Sequence, residues 1–420
     1  MSVRKLPVAT VEVGMSRKKA VRILFEFSIP LIAGVIGALI WANVAPHSYH
    51  QLVHGSPFGE GSHFNLHFLV NDIFMALFFG IAAKEITESV LPGGPLNPPR
   101  KAINPLLGTL GGVVGPVGVY FAYVAITGDH AIANGWGIPT ATDIAIAWLV
   151  ARLAFGASHP AVSFLLLLAV ADDGLGLGII AVFYPNPAHP VQPVYLLVVA
   201  AALAFAYALR KKDVRNNRAY LLGPGVLSWT GLFLAHLHPA LALVAVVPFM
   251  PHGGKDEGLY AEDGDAKHYG DTLNQFEHAF KVPVDLGLFV FGLANAGVTL
   301  GSVGNATSAV LLALVVGKTV GIFGFSMIGH KLGFSLPEGM DGRSLLVAGL
   351  TASLGLTVAL FVAGVAFTEP SLQGAAKMGA LLSAFVAPVV LVVARILRVR
   401  DGAPDSVPTA EPSYHPAPAE

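Results

Sequence analysis

The sequence predicts an all-α polytopic membrane protein with about twelve transmembrane helices, and three observations support this prediction. Hydrophobic residues make up 54% of the 420 positions and charged residues 12%, and the mean hydropathy is +0.66. The hydrophobic residues gather in apolar segments of roughly the length that crosses a bilayer. Lysine and arginine concentrate in alternate connections between these segments, as they do in loops that stay in the cytoplasm.

This pattern divides the chain into three parts. Residues 1–21 form a polar cytoplasmic arm, residues 22–397 a transmembrane domain, and residues 398–420 a Pro- and Ala-rich tail that we expect to be disordered. The first apolar segment is too long for the core of a signal peptide, so we expect it to remain as a helix. The expected spans are residues 22–44, 66–87, 104–127, 137–154, 160–184, 193–210, 219–235, 237–250, 279–300, 306–331, 343–367 and 373–397.

Basic residues predict the side of the membrane on which each loop lies. Most of them fall in four stretches that share one side if the number of spans is even. These residues are Arg4, Lys5, Arg17, Lys18, Lys19, Arg22, Arg100, Lys101, Arg210, Lys211, Lys212, Arg215, Arg218, Arg395, Arg398 and Arg400. The predicted outer loops contain only Lys377. Both termini are therefore expected in the cytoplasm.

The composition also argues against several classes of protein. The 25 basic and 26 acidic residues nearly cancel, so a nucleic-acid partner has no support. The chain has no cysteine, which excludes a disulfide framework and a thiolate metal site. It contains neither a Gly-rich phosphate loop nor an HExxH motif. No arrangement of nucleophile and base indicates an enzyme, and we expect no cofactor.

Two adjacent carboxylates, Asp172 and Asp173, lie in the middle of the apolar stretch FLLLLAVADDGLGLGII, residues 164–180. A single charge at the centre of a bilayer costs at least ~2.5–3.5 kcal/mol, and two adjacent ionised acids also repel each other. A bound cation or a proton would offset this cost. Hard cations such as Na+ prefer carboxylate and hydroxyl oxygens, so the pair is the primary candidate for a cation and proton site.

A second candidate lies in the fourth segment, where Pro139 precedes Thr140, Thr142 and Asp143. Proline removes a helical hydrogen bond and disfavours helix at the residue before it. One interpretation is a helix broken in mid-membrane, with these oxygens facing a cavity or an ion. The alternative is an ordinary helix N-cap near the membrane surface. The sequence of this segment alone leaves both open.

Lys318 lies in the tenth segment, with apolar residues for more than two turns on either side. A buried lysine needs a carboxylate partner or loses its proton, and Asp172 and Asp173 are the obvious partners. A structural ion pair between two helices is an alternative that is compatible with a role in transport. In the eleventh segment, residues 349–358 carry two glycines and three hydroxyl groups. Interrupted segments at matching places in the two halves of a chain are typical of transporter sites.

These motifs resemble the NhaA-type sodium/proton antiporter family, and the resemblance covers about residues 23–395. The stretches that carry it are Asn71-Asp72 with Met75-Ala76-Leu77-Phe78-Phe79, residues 137–145, Ala171-Asp172-Asp173-Gly174-Leu175-Gly176, residues 293–298, Gly317-Lys318, and residues 336–339. The family is itself a standard example of inverted repeats with broken helices. The resemblance therefore implies an inverted-repeat core with two crossed discontinuous helices.

The resemblance also implies roles for the candidate residues. Asp173 would be the main carrier of cation and proton, with Asp172 as its partner, and Thr142 and Asp143 would lie where the broken helices cross. Asp143 and Lys318 would offset the charges of the broken helix ends. The family exports Na+ or Li+ and takes up protons, two for each cation.

Members of the family are commonly homodimers in the bacterial inner membrane, joined partly by a hairpin in the first outer loop. That loop corresponds here to residues 45–65, which are rich in His and Gly. From the residues alone an ordinary solvated loop is favoured over a hairpin. The resemblance reverses this preference and implies a dimer in a lipid bilayer.

The chain departs from the family pattern where the family responds to pH. Glu85, at the inner mouth, matches a family glutamate, but Glu88 replaces the basic residue expected one turn later. Glu277 is preceded by Asn274 and Gln275 instead of two basic residues. His238 matches a family histidine tied to pH response. Glu85, His238 and Glu277 are therefore expected to shape the pH response, whose set point stays open.

Two other functions compete with antiport. A sodium-coupled symporter of an organic anion would need a sizeable solute cavity, and its uptake would depend on that solute. A non-transporting ion sensor would bind Na+ without flux. Measuring Na+-dependent proton movement distinguishes antiport from both.

Overall fold

The computed structural model describes residues 29–57, 59, 64–92, 94, 96–97, 99–185, 190–252 and 271–399. Within these ranges every regular element is a helix and no strand occurs. The arm, the tail from residue 400 and residues 253–270 lie outside the described ranges. The main helices are α1 (Ile29–Val44), α2 (Pro46–His54), α3 (Leu66–Ser89), α4 (Pro99–Thr127), α5 (Ile144–Phe155), α6 (Pro160–Phe183), α7 (Leu196–Lys211), α8 (Val226–Leu234), α9 (Pro239–Phe249), α10 (Thr272–Asn295), α11 (Asn305–Lys331), α12 (Gly342–Thr351), α13 (Thr357–Ala366), α14 (Pro370–Ser383) and α15 (Val386–Leu397).

Six helical stretches are long and apolar enough to cross a membrane by themselves. A 3-10 helix, His130–Thr140, and α5 make a seventh span if they are taken together, and the two are bent by 61° at their break. Shorter apolar helices, such as α1, α9 and α13, supply further apolar segments. The structure thus supports a polytopic membrane protein, and the count of about twelve spans stays a prediction.

The chain is interrupted at two places that touch each other. After Thr140 the backbone is extended at Ala141 and at Asp143, before α5 begins. The second interruption runs from the end of α12 to the start of α13. The N–H of Asp143 donates to the carbonyl oxygen of Leu354 at 2.7 Å, so each interruption supplies a hydrogen-bond partner that the other lacks.

Glycines let α4 and α11 approach very closely. A Cβ atom built on Gly115 would lie 2.2 Å from the carbonyl oxygen of Gly317, and one on Gly111 would lie 2.1 Å from that of Gly321. Small residues four apart allow membrane helices to pack backbone against backbone. This packing brings Lys318, the neighbour of Gly317, into the interior.

The described part of the first outer loop corrects the hairpin expectation for residues 45–65, because residues 46–54 form the helix α2. Pro46 suits the first turn of a helix, where no backbone N–H bond is needed. Tyr49 and Val53, one turn apart, are buried, and the hydroxyl group of Tyr49 donates to the carbonyl oxygen of Leu293 at 2.8 Å. The loop is therefore bound to its own chain through α10.

Lys377 is also placed differently from expectation. It lies within α14 and is 6% exposed, whereas the sequence analysis assigned it to an outer loop. The expected span 373–397 already included this position, so its assignment to an outer loop was wrong. The helix α14 packs along the first half of α11, which buries the lysine.

Candidate functional site

The centre of the candidate site is an ion pair buried between α6 and α11. The ammonium group of Lys318 donates to Oδ2 of Asp172, and neither side chain has exposed surface. Breaking such a pair leaves an uncompensated charge in a medium that solvates it poorly. The structure thus brings together the lysine and the first aspartate of the predicted pair.

Asp173 follows Asp172 in the same helix, and consecutive residues of an α-helix point about 100° apart. The two carboxylates therefore leave the helix in different directions, and it is Asp172 that makes the ion pair with Lys318. Asp173 is 8% exposed. Oδ1 of each aspartate is buried without a hydrogen-bond partner among the described residues. Because buried polar atoms nearly always have partners, these two oxygens mark a place suited to a cation or a proton.

Two features of α11 place the lysine. Residues Ala313–Lys318 form a π-helical turn. Such turns are rare in proteins, but those that occur are often found at functional sites. On the other side, Pro116 of α4 meets Gly317, where an added Cβ would lie 2.5 Å from Cα of Pro116. A residue larger than glycine would push Lys318 away from α6.

Thr142 connects the ion pair to the interrupted segments. Its Oγ1 accepts from Nζ of Lys318 at 2.6 Å and lies 2.7 Å from Oδ2 of Asp172 and 2.9 Å from the carbonyl oxygen of Ala352. A hydroxyl group has one proton, so it donates to one of these two acceptors at a time. Its oxygen is therefore part of the site, and its proton can hold either α6 or the second interruption.

Asp143 serves the N-termini of two helices. Its Oδ1 accepts from the N–H of Ile146 at 3.1 Å, which caps α5. Its Oδ2 accepts from the N–H of Thr357 at 3.3 Å and from the hydroxyl group of the same residue, at the start of α13. A carboxylate at a helix N-terminus offsets the positive end of the helix dipole. Asp143 is thus an N-cap, but it is 6% exposed and lies at the contact between the two interruptions rather than at a surface.

Sequence reasoning missed Thr357 and the carbonyl groups of Ala352 and Leu354. The available signal was the concentration of glycines and hydroxyl groups in residues 349–358. That signal pointed to an interruption, but it does not say which hydroxyl group meets Asp143. The choice depends on how α13 is turned about its axis.

Glu85 and Glu277, expected at the inner mouth, meet around a third residue, Lys84. Lys84 is 1% exposed and pairs with Glu277 of α10, with Glu88 at 2.6 Å and with Glu85 at 3.6 Å. Glu88, which departs from the family pattern, is therefore part of the same cluster. One ammonium group shared by three carboxylates links the C-terminal end of α3 to α10.

The third residue expected in the pH response, His238, lies elsewhere. Its ring packs edge-on against Phe361, with ring centroids 5.9 Å apart. It lines a cavity of about 380 Å³ together with His67, Asp72 and Gln373. The structure therefore places His238 at this cavity, while Glu85 and Glu277 pair with Lys84.

Comparison with known proteins identifies the family. A family model described as Na+/H+ antiporter 1 matches residues 21–394. The Na(+)/H(+) antiporter NhaA of Geobacter metallireducens is 59% identical over 385 residues, which cover 91% of this chain and 99% of that protein. The NhaA antiporters of Geobacter sulfurreducens and a Jannaschia species are 58% and 43% identical, over 91% and 89% of this chain and 99% and 97% of their own lengths. The resemblance found in the sequence is thereby confirmed, and the chain belongs to the Na+/H+ antiporter 1 family, whose members are transporters and not enzymes.

Proposed function

We propose that this protein exports Na+ or Li+ in exchange for protons, with Asp172 and Asp173 as the site where the ions compete. The observation that carries the proposal is the buried carboxylate pair, in which each Oδ1 lacks a hydrogen-bond partner among the described residues. A cation or a proton satisfies such an oxygen, but the two cannot occupy it together. The relatives carry the name of Na+/H+ antiporters, which agrees with this chemistry.

In the proposed cycle, Na+ binds between oxygens of Asp172, Asp173 and Thr142 when both carboxylates are ionised. Protons arriving from the other side neutralise the two carboxylates and displace the cation. Two protons enter for each cation that leaves, so one net positive charge moves inward per cycle. The exchange is therefore electrogenic.

Lys318 and Asp143 compensate charge in this cycle. Lys318 pairs with Asp172 while the site is empty. When the cation binds, this ion pair breaks and the carboxylate of Asp172 coordinates the cation instead. The carboxylate of Asp143 offsets the partial positive charges at the N-terminal ends of α5 and α13, so that these helix ends do not repel Na+. Because both interruptions meet at this point, a change in the tilt of one broken segment can expose the site to one side of the membrane and then to the other. This is alternating access without movement of the site itself.

We place the protein in the bacterial inner membrane as a multi-pass protein with both termini in the cytoplasm, working as a homodimer. The clustering of basic residues in alternate loops supports this orientation. Na+, Li+ and H+ are cargo in this scheme, and no cofactor takes part. Glu85, Glu277 and His238 set its dependence on pH.

The test uses purified protein in proteoliposomes with an imposed proton gradient and a pH-sensitive dye. Addition of Na+ or Li+ should dissipate the gradient, whereas K+ should not. Asp173→Asn should abolish the response, because the neutral amide cannot exchange a proton for a cation. A gradient that stays intact with Na+ and Li+ at every pH from about 6 to 9 would overturn the proposal. Solute-dependent Na+ uptake would then indicate a symporter, and Na+ binding without flux a sensor.

A further inference from the structure

Thr357 lies at a point where the two interruptions share one hydrogen-bond acceptor. It is the first residue of α13 and is 4% exposed. Its hydroxyl group and its backbone N–H both donate to Oδ2 of Asp143, the N–H at 3.3 Å. The other carboxylate oxygen accepts from Ile146 of α5. Each oxygen of Asp143 is therefore committed to one of the two helices.

The hydroxyl group is the stronger of the two donors that α13 offers. The 3.3 Å N–H bond is long for an N–H···O contact, whose usual length is about 2.9–3.0 Å. Without the hydroxyl group, Oδ2 of Asp143 would depend on this weak contact inside the protein. A buried acceptor that loses its main donor pays its full desolvation penalty, so the carboxylate turns towards another donor.

A displacement of Asp143 also displaces Thr142, which precedes it in the chain and is a proposed ligand of the cation. Asp143 is held by its N–H bond to Leu354, and Thr142 by its contact with Ala352, at 2.7 and 2.9 Å. The hydroxyl group of Thr142 touches both Asp172 and Lys318. A single peptide bond thus connects the acceptor of Thr357 to a proposed ligand of the cation.

We propose that Thr357 is a positioning residue for ion exchange: its hydroxyl group holds Asp143, and through it Thr142, in the arrangement that presents the oxygens of Thr142 and Asp172 to the cation. This rests on the proposed function of the aspartate pair. Thr357 itself acts through Asp143 and Thr142 and does not touch the cation in this scheme. Its loss therefore weakens cation binding more than it slows the exchange step.

The main variant is Thr357→Val, which keeps the branched shape and removes the hydroxyl group. We expect the KM for Na+ and Li+ to rise by about 10-fold or more, since a hydrogen bond to a charged group contributes about 1.5–3 kcal/mol and 1.4 kcal/mol is tenfold. The maximal rate at saturating cation should change much less. Thr357→Ser, which keeps the donor, should restore the wild-type KM.

The chain provides a matched control in Thr351. It is a buried threonine at the other end of the same interruption, and its hydroxyl group donates at 2.7 Å to Val347 within its own helix. Thr351→Val removes a hydroxyl group at equal depth without touching Asp143. Its KM should match that of the wild-type protein.

A second measurement separates this proposal from the proposed function. Li+ and Na+ should raise the melting temperature of the purified protein in detergent, and Thr357→Val should need about 10-fold more cation for the same shift. If the wild-type protein binds Li+ without exchanging it, the antiport proposal fails. The cation concentrations that the wild-type and Thr357→Val proteins need for the same shift still test whether Thr357 positions the binding site. Thr357→Cys, a weaker donor of similar size, takes the place of the valine variant if that variant does not accumulate.

Three results would overturn the role of Thr357. The first is a folded Thr357→Val protein with the wild-type KM and thermal shift. The second is a Thr357→Ser protein as impaired as the valine variant, which would indicate packing instead of hydrogen bonding. The third is an equal loss in Thr351→Val, which would show that any buried hydroxyl group of this segment matters.

Discussion

At the scale of single residues, Asp172 and Lys318 show how charge is retained inside an apolar bundle. Each is fully buried, and each is the other's counter-charge. Thr142 adds a hydroxyl group that accepts from the lysine. The pair is neutral as a unit, so its cost falls far below that of two separate charges. Asp173 lies outside this arrangement, which leaves it available for exchange.

Removing Lys318 should therefore destabilise the protein through its partner. Lys318→Ala leaves the carboxylate of Asp172 unpaired, and we expect the free energy of unfolding to fall by ~3–5 kcal/mol. The measurement is thermal unfolding of the purified protein in detergent. In the double variant Lys318→Ala, Asp172→Asn no unpaired charge remains, so the loss should be smaller than in the single variant. A single variant that melts like the wild-type protein would show that the pair contributes nothing.

At the scale of elements, the site depends on helices that are interrupted and helices that pack unusually closely. The interruptions at residues 141–143 and 352–356 leave backbone groups that satisfy each other. The glycines of α4 and α11 let Lys318 approach α6 across a backbone-to-backbone contact. Both features use small or helix-breaking residues in segments that are otherwise continuous apolar helices. The polar groups of the site thus enter the membrane domain without long polar helix faces.

The close contact of α4 and α11 predicts a sharp difference between two glycines of α4. Gly115→Ala would place a methyl group 2.2 Å from the carbonyl oxygen of Gly317, whereas an added Cβ on Gly118 meets nothing within 4 Å. We expect Gly115→Ala to destabilise the protein by ~1–3 kcal/mol or more and to lower exchange activity, since the helices must separate. Gly118→Ala should leave both unchanged. The readouts are the melting temperature and the dye assay, and equal behaviour of the two variants would contradict the packing argument.

At the scale of the whole molecule, the charged groups fall into separate sites joined by helices. The aspartate pair and Lys318 lie at the two interruptions, while Lys84, Glu85, Glu88 and Glu277 bridge α3 and α10. A cavity of about 380 Å³ near His238 forms another polar region. Phe361 of α13 borders this cavity and lies one helical turn from Thr357. The helix α13 therefore connects the cavity to the site.

The proposed exchange of two protons for each cation predicts, for the molecule as a whole, a transport cycle that is sensitive to membrane potential. An inside-negative potential, set with valinomycin and a potassium gradient, should accelerate Na+ efflux from proteoliposomes because net positive charge moves inward. Efflux measured at equal pH on both sides gives the comparison, and a potential of the opposite sign should slow it. Efflux rates that do not respond to potential would show one proton per cation.

Part of the site was accessible from the sequence because its residues are unusual where they occur. Carboxylates and a lysine in apolar segments are costly, so Asp172, Asp173 and Lys318 stood out individually, and Lys318 indeed meets Asp172. Glu88 was noticed as a departure, and its pairing with Lys84 follows from i,i+4 spacing within α3, whereas the pairing of Lys84 with Glu277 required the fold. Thr357 was not singled out, because a threonine in an apolar helix costs little and has many local roles.

The amino-acid sequence alone predicts the class of protein, the apolar segments and the residues that carry charge within them, and several motifs in order predict the family. These follow from local physical chemistry, since burying a charge or breaking a helix is costly wherever the segment finally packs. The fold sets which groups meet: Asp143 serves two helices, Thr142 contacts three elements, His238 lines a cavity with Asp72, and residues 46–54 form a helix on α10. These contacts join residues up to 244 positions apart, as Tyr49 and Leu293 are. They depend on the rotation and depth of each helix, which a periodic pattern of apolar residues leaves undetermined when every face of the helix is apolar.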